Sequence, residues 1–349
     1  MRFNLDNEFE TTDSKIELKF NDSIRITATT ITPLLQIDET GNQRERYIIE
    51  NGVHAQVPFY SANGLKGALR RMATATQIAS MKESNPKAVI SPETFYLYTS
   101  GSALDKKSVD EIINSENEMT IRKNAPILSL FGAGLSNIEG GLSISDLAPS
   151  SKVNKFRTFT TKDGQEIVKS ALLDTNTFFR TDSIKDSGLW RTLVDYQDIA
   201  KWTADYGEKV RNGKKDKGDK KEENSHIQQP IEKNFIIAGV ELTASINKKF
   251  NFSNDANPSS FSDLELGVII SSILELSKRQ IGSAKALSWG ILDWTVEYNG
   301  EIMFEKITNK DYVLDFRINI SDSGLKYINI WKNWLKENSN KFELKDIVS

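Results

Sequence analysis

The sequence of 349 residues contains no cysteine, and its only histidines are His54 and His226. Because disulfides and thiolate metal ligands both require cysteine, the sequence excludes both. Two histidines are also too few for a histidine-rich metal centre. We therefore predict a protein without a metal site or another bound cofactor. The lack of cysteine also favours a cytoplasmic location.

The sequence also lacks long hydrophobic runs and an excess of positive charge. Apolar runs such as residues 268–270 are far too short to cross a bilayer, and residues 1–6 lack the apolar stretch of a signal peptide. We therefore expect no membrane partner. The net charge is −3, with 45 Lys and Arg against 48 Asp and Glu. Binding to nucleic acid would have to depend on local clusters of basic residues.

The order of the predicted elements is typical of an α+β fold. Residues 16–20 and 24–31 alternate apolar and polar side chains as strands do, and residues 63–80 place apolar side chains at helical spacing. The later elements are a strand, a helix, two strands and a helix, predicted at residues 234–246, 262–278, 291–298, 312–320 and 324–337. Two strand–helix units with antiparallel returns predict an α+β, ferredoxin-like core.

We expect a single domain over residues 1–349, with a core that long insertions interrupt. The predicted parts are a core at about 16–81, 127–160 and 234–320, an irregular, partly helical insertion at about 82–126, a flexible basic segment at about 161–233, and a C-terminal helix at about 322–338. Residues 209–221 carry seven basic and two acidic side chains, a net charge of +5. Such a run is usually a solvated loop, but it could also be a basic arm that binds nucleic acid without sequence preference.

One candidate phosphate-binding segment is the start of the first predicted helix. Ser61 and Asn63 are plausible N-caps, and Lys66, Arg70 and Arg71 follow within the next turns. Small residues allow backbone N–H groups to approach a phosphate, and the helix dipole adds about half a positive charge there. The alternative interpretation is a solvated helix face.

A second candidate is the loop that contains Gly282, Ser283 and Lys285. Glycine and serine in a loop beside a lysine could hold a phosphate, although glycine-containing loops also simply turn the chain. The loop lacks the Walker pattern, so we do not expect a nucleoside triphosphate site.

A third candidate combines aromatic and basic residues in the central polar segment. Phe178 and Phe179 precede Arg180, and Lys155 and Arg157 lie on the N-terminal side of them. Stacking of a base on an aromatic side chain contributes about 1–3 kcal/mol and tolerates any base. These aromatic residues could equally belong to the core.

The motif segments also carry a family resemblance. They are the helix start at residues 59–71, the Leu-Phe-Gly element at 130–132, the strand at 142–146 that ends in aspartate, and the loop at 281–290. In this order they resemble the RAMP superfamily of CRISPR effector proteins, over roughly residues 24–298. Within that superfamily the chain looks most like the backbone subunit, and its helix start looks most like the type IV branch.

The resemblance implies a hand-like shape, with a ferredoxin-like (RRM-like) palm and with insertions that form helical or finger elements and a thumb. It implies that several copies of the chain bind along one guide RNA and hold its spacer for pairing with a target nucleic acid. It also implies contacts with other CRISPR effector subunits. The motif residues, with Arg180 in the thumb, would then contact RNA.

The resemblance also bears on catalysis. Type III-like backbone subunits carry an RNA-cutting aspartate between the first strand and the first helix, at a place that falls near Arg46 in this chain. No aspartate stands there, although Asp38 lies earlier and Glu45 and Glu50 flank the site. We therefore predict no enzyme activity, and we expect Arg44 and Arg46 to contact nucleic acid instead.

His54 supports an alternative function. Guide-processing endonucleases of the same superfamily often use a histidine near the first helix as a general acid or base. His54 lies nine residues before Asn63, which is a suitable place, although a lone histidine is more often structural. A metal-independent RNA endonuclease using His54 is therefore the alternative, and a target-RNA nuclease using Asp38 is a third hypothesis.

Overall fold

The computed structural model of the chain combines helices with antiparallel sheets, which confirms the α+β class. It describes residues 22–38, 42–50, 53–101, 117–133, 138–149, 156–160, 166–180, 229–249, 260–309, 311, 315–339, 343 and 347. Residues 209–221 and the strand predicted at 16–20 lie outside the described residues. Within the described residues, no helix has both the length and the apolar composition needed to cross a bilayer.

The elements of the described residues are numbered in chain order. The strands are β1 (Ser23–Thr30), β2 (Glu45–Glu50), β3 (Val53–Pro58), β4 (Leu142–Ile144), β5 (Ala148–Pro149), β6 (Phe156–Thr160), β7 (Glu166–Ser170), β8 (Leu173–Arg180), β9 (Gln229–Ile236), β10 (Glu241–Lys248), β11 (Leu292–Tyr298), β12 (Glu301–Thr308) and β13 (Phe316–Ile320). The helices are α1 (Ala62–Ser84), α2 (Pro92–Ser100), α3 (Glu118–Asn124), α4 (Pro126–Phe131), α5 (Asp263–Ser277) and α6 (Asp322–Glu337).

The main sheet is antiparallel and is built around β1. Its strand order is β13-β12-β11-β1-β10-β4, and β5 pairs with β10 at the β4 edge. Ile26 of β1 lies opposite Ala244 of β10 on one side and Val296 of β11 on the other. Along the chain, four strands of this sheet and the helices α1 and α5 occur in the order β1-α1-β4-β10-α5-β11.

The core lies between this sheet and a layer of helices. Leu65 and Leu69 of α1 are fully buried, as are Val268 and Ile273 of α5. Helices α1 and α5 pack against each other, and α6 packs against α5. A capping box between Ser262 and the third residue of α5 defines the start of that helix. The helices predicted at 63–80 and 262–278 are therefore confirmed, and α6 lies where the C-terminal helix was predicted.

Two smaller sheets stand beside the main one. One has the strand order β2-β3-β7-β6, and the other is the pair β8-β9. Residues 156–160, predicted as part of the core, thus form β6 in a small sheet. The segment predicted as flexible at 161–233 contains β7, β8 and the beginning of β9, and its residues 181–228 lie outside the described residues.

The prediction of a single strand at residues 234–246 is wrong. The chain forms β9 and β10 there, with a turn at Ala238 and Gly239 between them. Gly239 has a φ of 83°, a conformation that glycine adopts without strain. The turn allows β9 to pair with β8 while β10 enters the main sheet beside β1.

The C-terminal part of the chain is attached to the insertion between α1 and β4. One carboxylate oxygen of Glu343 accepts the Ser91 backbone N–H at 2.8 Å, and the other accepts the Ser91 and Thr94 hydroxyls at 2.7 and 2.8 Å. Ile347 is buried, and its carbonyl accepts the Asn124 side-chain amide at 3.0 Å. Glu343 therefore fixes the chain end at the start of α2, where a negative charge also suits the helix dipole.

We expect Glu343→Gln to destabilise the fold. The amide group would place a donor where an acceptor is needed, and loss of hydrogen bonds to a charged group costs about 1.5–3 kcal/mol. Urea denaturation should show a lower midpoint with an unchanged slope. Glu83→Gln, at an exposed position near the end of α1, is the matched control and should change stability by less than about 0.5 kcal/mol. Equal midpoints for the two variants would contradict this role for Glu343.

Candidate nucleic-acid interface

The first turn of α1 is capped by side chains of the protein itself. The Ser61 hydroxyl accepts the Gly64 backbone N–H at 3.1 Å, and Oδ1 of Asp146 accepts the Ala62 backbone N–H at 2.7 Å. The side-chain amide of Gln36 donates to the Ser61 hydroxyl at 2.9 Å. Two of the first N–H groups of α1 therefore have acceptors already, which leaves fewer N–H groups there for a phosphate. Phosphate binding at this helix start would therefore depend more on side-chain cations than the sequence alone predicts.

The loop at 281–290 contacts the segment that also contacts the start of α1. The Ser283 backbone N–H donates to the Leu35 carbonyl at 2.8 Å. A Cβ atom on Gly282 would lie 2.5 Å from the same oxygen, so this close approach requires glycine. The next residue, Gln36, is the one bonded to Ser61. Two motif segments more than 200 residues apart are thus both hydrogen-bonded to residues 35–36.

Arg70 joins α1 to the Leu-Phe-Gly element. Its side chain is 8% exposed, and Nη2 donates to the carbonyl oxygens of Phe131 and Gly132. Gly101 packs so closely that a Cβ atom there would lie 1.8 Å from the guanidinium. Burial lowers the pKa of Arg70 to about 10, so the group remains charged at neutral pH. These contacts show a structural role for Arg70, and its predicted contact with RNA stays a prediction.

Lys66 lies beside a cavity of about 430 Å³ between α1 and residues 131–133 and 138–140. Its pKa is lowered, first by burial and then by repulsion from Arg70 and Lys249, while Glu139 opposes this effect. Lys249 itself forms an ion pair with Glu139 at 2.7 Å. Three cations therefore converge near the cavity, and an anion bound among them would relieve their repulsion.

Arg46 lies at the base of the β2–β3 hairpin. Its Nη1 forms an ion pair with Oδ2 of Asp146 at 2.8 Å, and its guanidinium carbon is 5.8 Å from the centre of the Phe59 ring. The Arg46 side chain is nevertheless 45% exposed. The guanidinium is thus held in a defined place and still faces solvent.

Five more of the predicted residues are exposed. They are Arg44, Asn63, Arg71, Ser283 and Lys285. Nε of Arg44 donates to the Ile37 carbonyl at 3.3 Å, which keeps this side chain beside the segment that precedes it. Lys155 lies outside the described residues, and only the backbone is described for Arg157, Phe178, Phe179 and Arg180.

Neither nuclease hypothesis, with His54 or with Asp38, gains support from the geometry of the described residues. His54 lies on β3 opposite Ile49, and its side chain lies outside the described residues. Oδ1 of Asp38 accepts the Asn42 backbone N–H at 3.1 Å, so this carboxylate closes a turn. In the part of the chain that the structure describes, no three His, Cys, Asp or Glu residues form a group that could hold a metal ion.

Sequence reasoning missed the residues that assemble this surface. Gln43 is 2% exposed; its side chain accepts the Gln36 backbone N–H at 2.8 Å and donates to the Phe59 carbonyl at 2.8 Å. Asp146 was noticed only as the last residue of a strand. Neither glutamine belongs to a recognisable pattern, so no sequence signal could have found them.

Comparisons with known proteins give little further information. No protein-family model and no curated protein sequence matches the chain. Among solved structures, it is similar to a chain of the "Type IV-B CRISPR Complex", at 13% sequence identity and a TM-score of 0.45, over 79% of this chain and 90% of that chain. Similarity at this level establishes neither a shared family nor a shared role.

Arg70 and Arg71 are adjacent and make a matched pair for testing the structural role. Arg70→Ala would leave two buried carbonyl groups without a charged donor, so it should lower the free energy of unfolding by about 1.5–3 kcal/mol. Arg71→Ala removes an exposed side chain and should change it by less than about 0.5 kcal/mol. Urea midpoints measure both effects. A similar loss in the two variants would contradict the role assigned to Arg70.

Proposed function

We propose that the chain is a non-catalytic backbone subunit of a CRISPR ribonucleoprotein effector. In this proposal, successive copies bind along one guide RNA and present its spacer to a target nucleic acid, beside other effector subunits. The observation that carries the proposal is the meeting of the motif segments. The start of α1 and the loop at 281–290 both contact residues 35–36, and the Leu-Phe-Gly element contacts α1 through Arg70.

The strand order supports a ferredoxin-like palm. Along the path β1-α1-β4-β10-α5-β11, the strands occur in the order β1, β4, β10 and β11. In the sheet they lie side by side as β11-β1-β10-β4, so the fourth strand of the path is followed by the first, the third and the second. All their pairings are antiparallel, and α1 and α5 pack together. This is the arrangement that two strand–helix units give when the second returns antiparallel to the first.

Local charge supports RNA as the ligand despite the net charge of −3. Arg44, Arg46, Arg71 and Lys285 are exposed, and Lys66 lies beside a cavity where cations converge. Cations that contact phosphates fix the position of a nucleic acid without reading its sequence. A subunit that holds guides with different spacers needs this kind of contact.

The proposal also assigns no catalysis to the chain. A basic residue, Arg46, occupies the place at which an RNA-cutting aspartate is expected from the resemblance, and Asp38 closes a turn instead. No described contact favours His54 as a general acid or base. We therefore propose a binding role rather than a nuclease.

We expect Lys66→Ala to weaken the binding of all guide RNA sequences alike. Loss of one phosphate contact should reduce the slope of log K against log salt concentration by about 0.7. Fluorescence anisotropy with two unrelated guide sequences, over a series of salt concentrations, measures both quantities. Lys82→Ala, in the last turn of the same helix, is the control and should bind as the wild type does. Equal affinities for both variants at moderate salt would contradict a phosphate contact at Lys66.

The assembly and the lack of catalysis have a separate test. The protein purified from cells with a guide RNA should carry RNA of defined length and form particles that contain several copies. The wild type and His54→Ala should both leave a precursor guide intact, and the wild type should leave target RNA intact with divalent metal present. A monomer free of nucleic acid that does not bind labelled guide RNA would contradict the proposed function. Cleavage of the precursor guide by the wild type but not by His54→Ala would favour the His54 alternative.

A further inference from the structure

We infer that Asp146 is a positioning residue, which holds Arg46 ready to bind a phosphate of the RNA backbone. The inference rests on the proposed function and names how one of its phosphate contacts is made. Asp146 follows β4, and Arg46 lies on β2, which belongs to a different sheet. Their ion pair therefore joins the surface of the small sheet to that of the main sheet.

Asp146 is a fixed point in the fold. Its two carboxylate oxygens have separate partners: Oδ1 accepts the Ala62 backbone N–H at 2.7 Å, and Oδ2 accepts from Arg46 at 2.8 Å. The next residue, Leu147, exchanges two backbone hydrogen bonds with Tyr60, at 2.8 and 2.9 Å. The carboxylate of Asp146 is thus bonded to the start of α1, and the backbone next to Asp146 is held by the two bonds between Leu147 and Tyr60. A carboxylate fixed in this way can orient the long, flexible side chain of Arg46.

Arg46 keeps donors for a ligand while it is held. Among the described residues, the guanidinium bonds Asp146 through Nη1, and one of its faces lies near the Phe59 ring. A guanidinium has five N–H donors in a planar fork, so the edge formed by Nε and Nη2 is available for a phosphate. Arg46 is 45% exposed and Asp146 is 23% exposed, so the pair is accessible to an RNA strand.

Charge and positioning make opposite predictions for Asp146. A carboxylate near a phosphate site repels the phosphate, so on charge alone its removal should strengthen RNA binding. An arginine side chain without its partner has many rotamers, and ordering it on binding costs conformational entropy. We expect positioning to dominate, because the phosphate contacts Arg46 directly while the carboxylate stays bonded behind it.

Asp146→Asn is the variant that separates the two effects. The asparagine oxygen can still accept the Ala62 N–H, so the cap of α1 is kept, whereas the ionic hold on Arg46 is lost. We expect this variant to bind guide RNA about three- to tenfold more weakly than the wild type. Glu275→Gln removes an exposed carboxylate from an ion pair with Lys278 on α5 and should leave the affinity unchanged.

A double-mutant cycle shows whether Asp146 acts through Arg46. If it does, adding Asp146→Asn to Arg46→Ala should cause no further loss of affinity, and the salt slope of the double variant should equal that of Arg46→Ala. A merely structural role would add its own loss in either background. Urea midpoints for each variant confirm that the fold is intact.

Arg46→Lys gives a second test that does not depend on the folding of the Asp146 variant. A lysine paired with Asp146 keeps the charge but lacks the planar second edge, so its affinity for guide RNA should approach that of Arg46→Ala. Wild-type affinity in Arg46→Lys or in Asp146→Asn, tighter binding by Asp146→Asn, or a loss that persists without Arg46 would each overturn the inference alone. Failure of the wild type to bind guide RNA would overturn the proposed function and this inference with it.

Discussion

The burial of Leu65 and Leu69 fixes the rotation of α1, and the arrangement of the candidate interface depends on that rotation. Successive helical residues are about 100° apart, so the two leucines determine where their neighbours lie. With both leucines in the core, Lys66 lies beside the cavity, Arg70 is directed at the carbonyls of Phe131 and Gly132, and Arg71 is exposed. The apolar contacts of one face therefore direct Arg70 into the fold and leave Lys66 beside the cavity and Arg71 at the surface.

The protein balances these cations with its own carboxylates. Asp146 pairs with Arg46, and Glu139 pairs with Lys249 beside the cavity of Lys66. The Glu139–Lys249 pair lies near the surface, where an ion pair contributes little to stability and exchanges partners at small cost. Under the proposed function, a phosphate would compete with Glu139 for Lys249, whereas Arg46 would keep its bond to Asp146. The pKa of Lys66 is lowered first by burial and then by the positive charges of Arg70 and Lys249, an effect that Glu139 opposes.

The parts of the fold that the sequence predicts are those in which local periodicity and tertiary packing agree. Strand β1 and helices α1 and α5 each carry a clear apolar pattern, and each lies in the core. The break between β9 and β10 was missed because apolar, strand-forming residues lie on both sides of Gly239. Strand β12 was missed although Asn299 and Gly300, both with positive φ, form the tight hairpin turn that their sequence favours.

The candidate site was only partly predictable for a different physical reason. The cations of α1 could be named from the sequence, but the burial of Arg70 depends on carbonyl groups about 60 residues away. Asp146 and Gln36 act through side-chain hydrogen bonds to distant segments that no spacing rule encodes.

Under the proposed function, fixed contacts between distant segments would also allow one surface to bind the backbone of many RNA sequences. The loop at 281–290 and the start of α1 are each bonded to residues 35–36, and the hairpin of Arg46 is held through Asp146. The spacing between the cations is then set by the fold and not by the ligand. A sugar-phosphate backbone has a regular spacing of charge whatever its bases are, so a rigid array of cations can hold it while the bases remain free to pair.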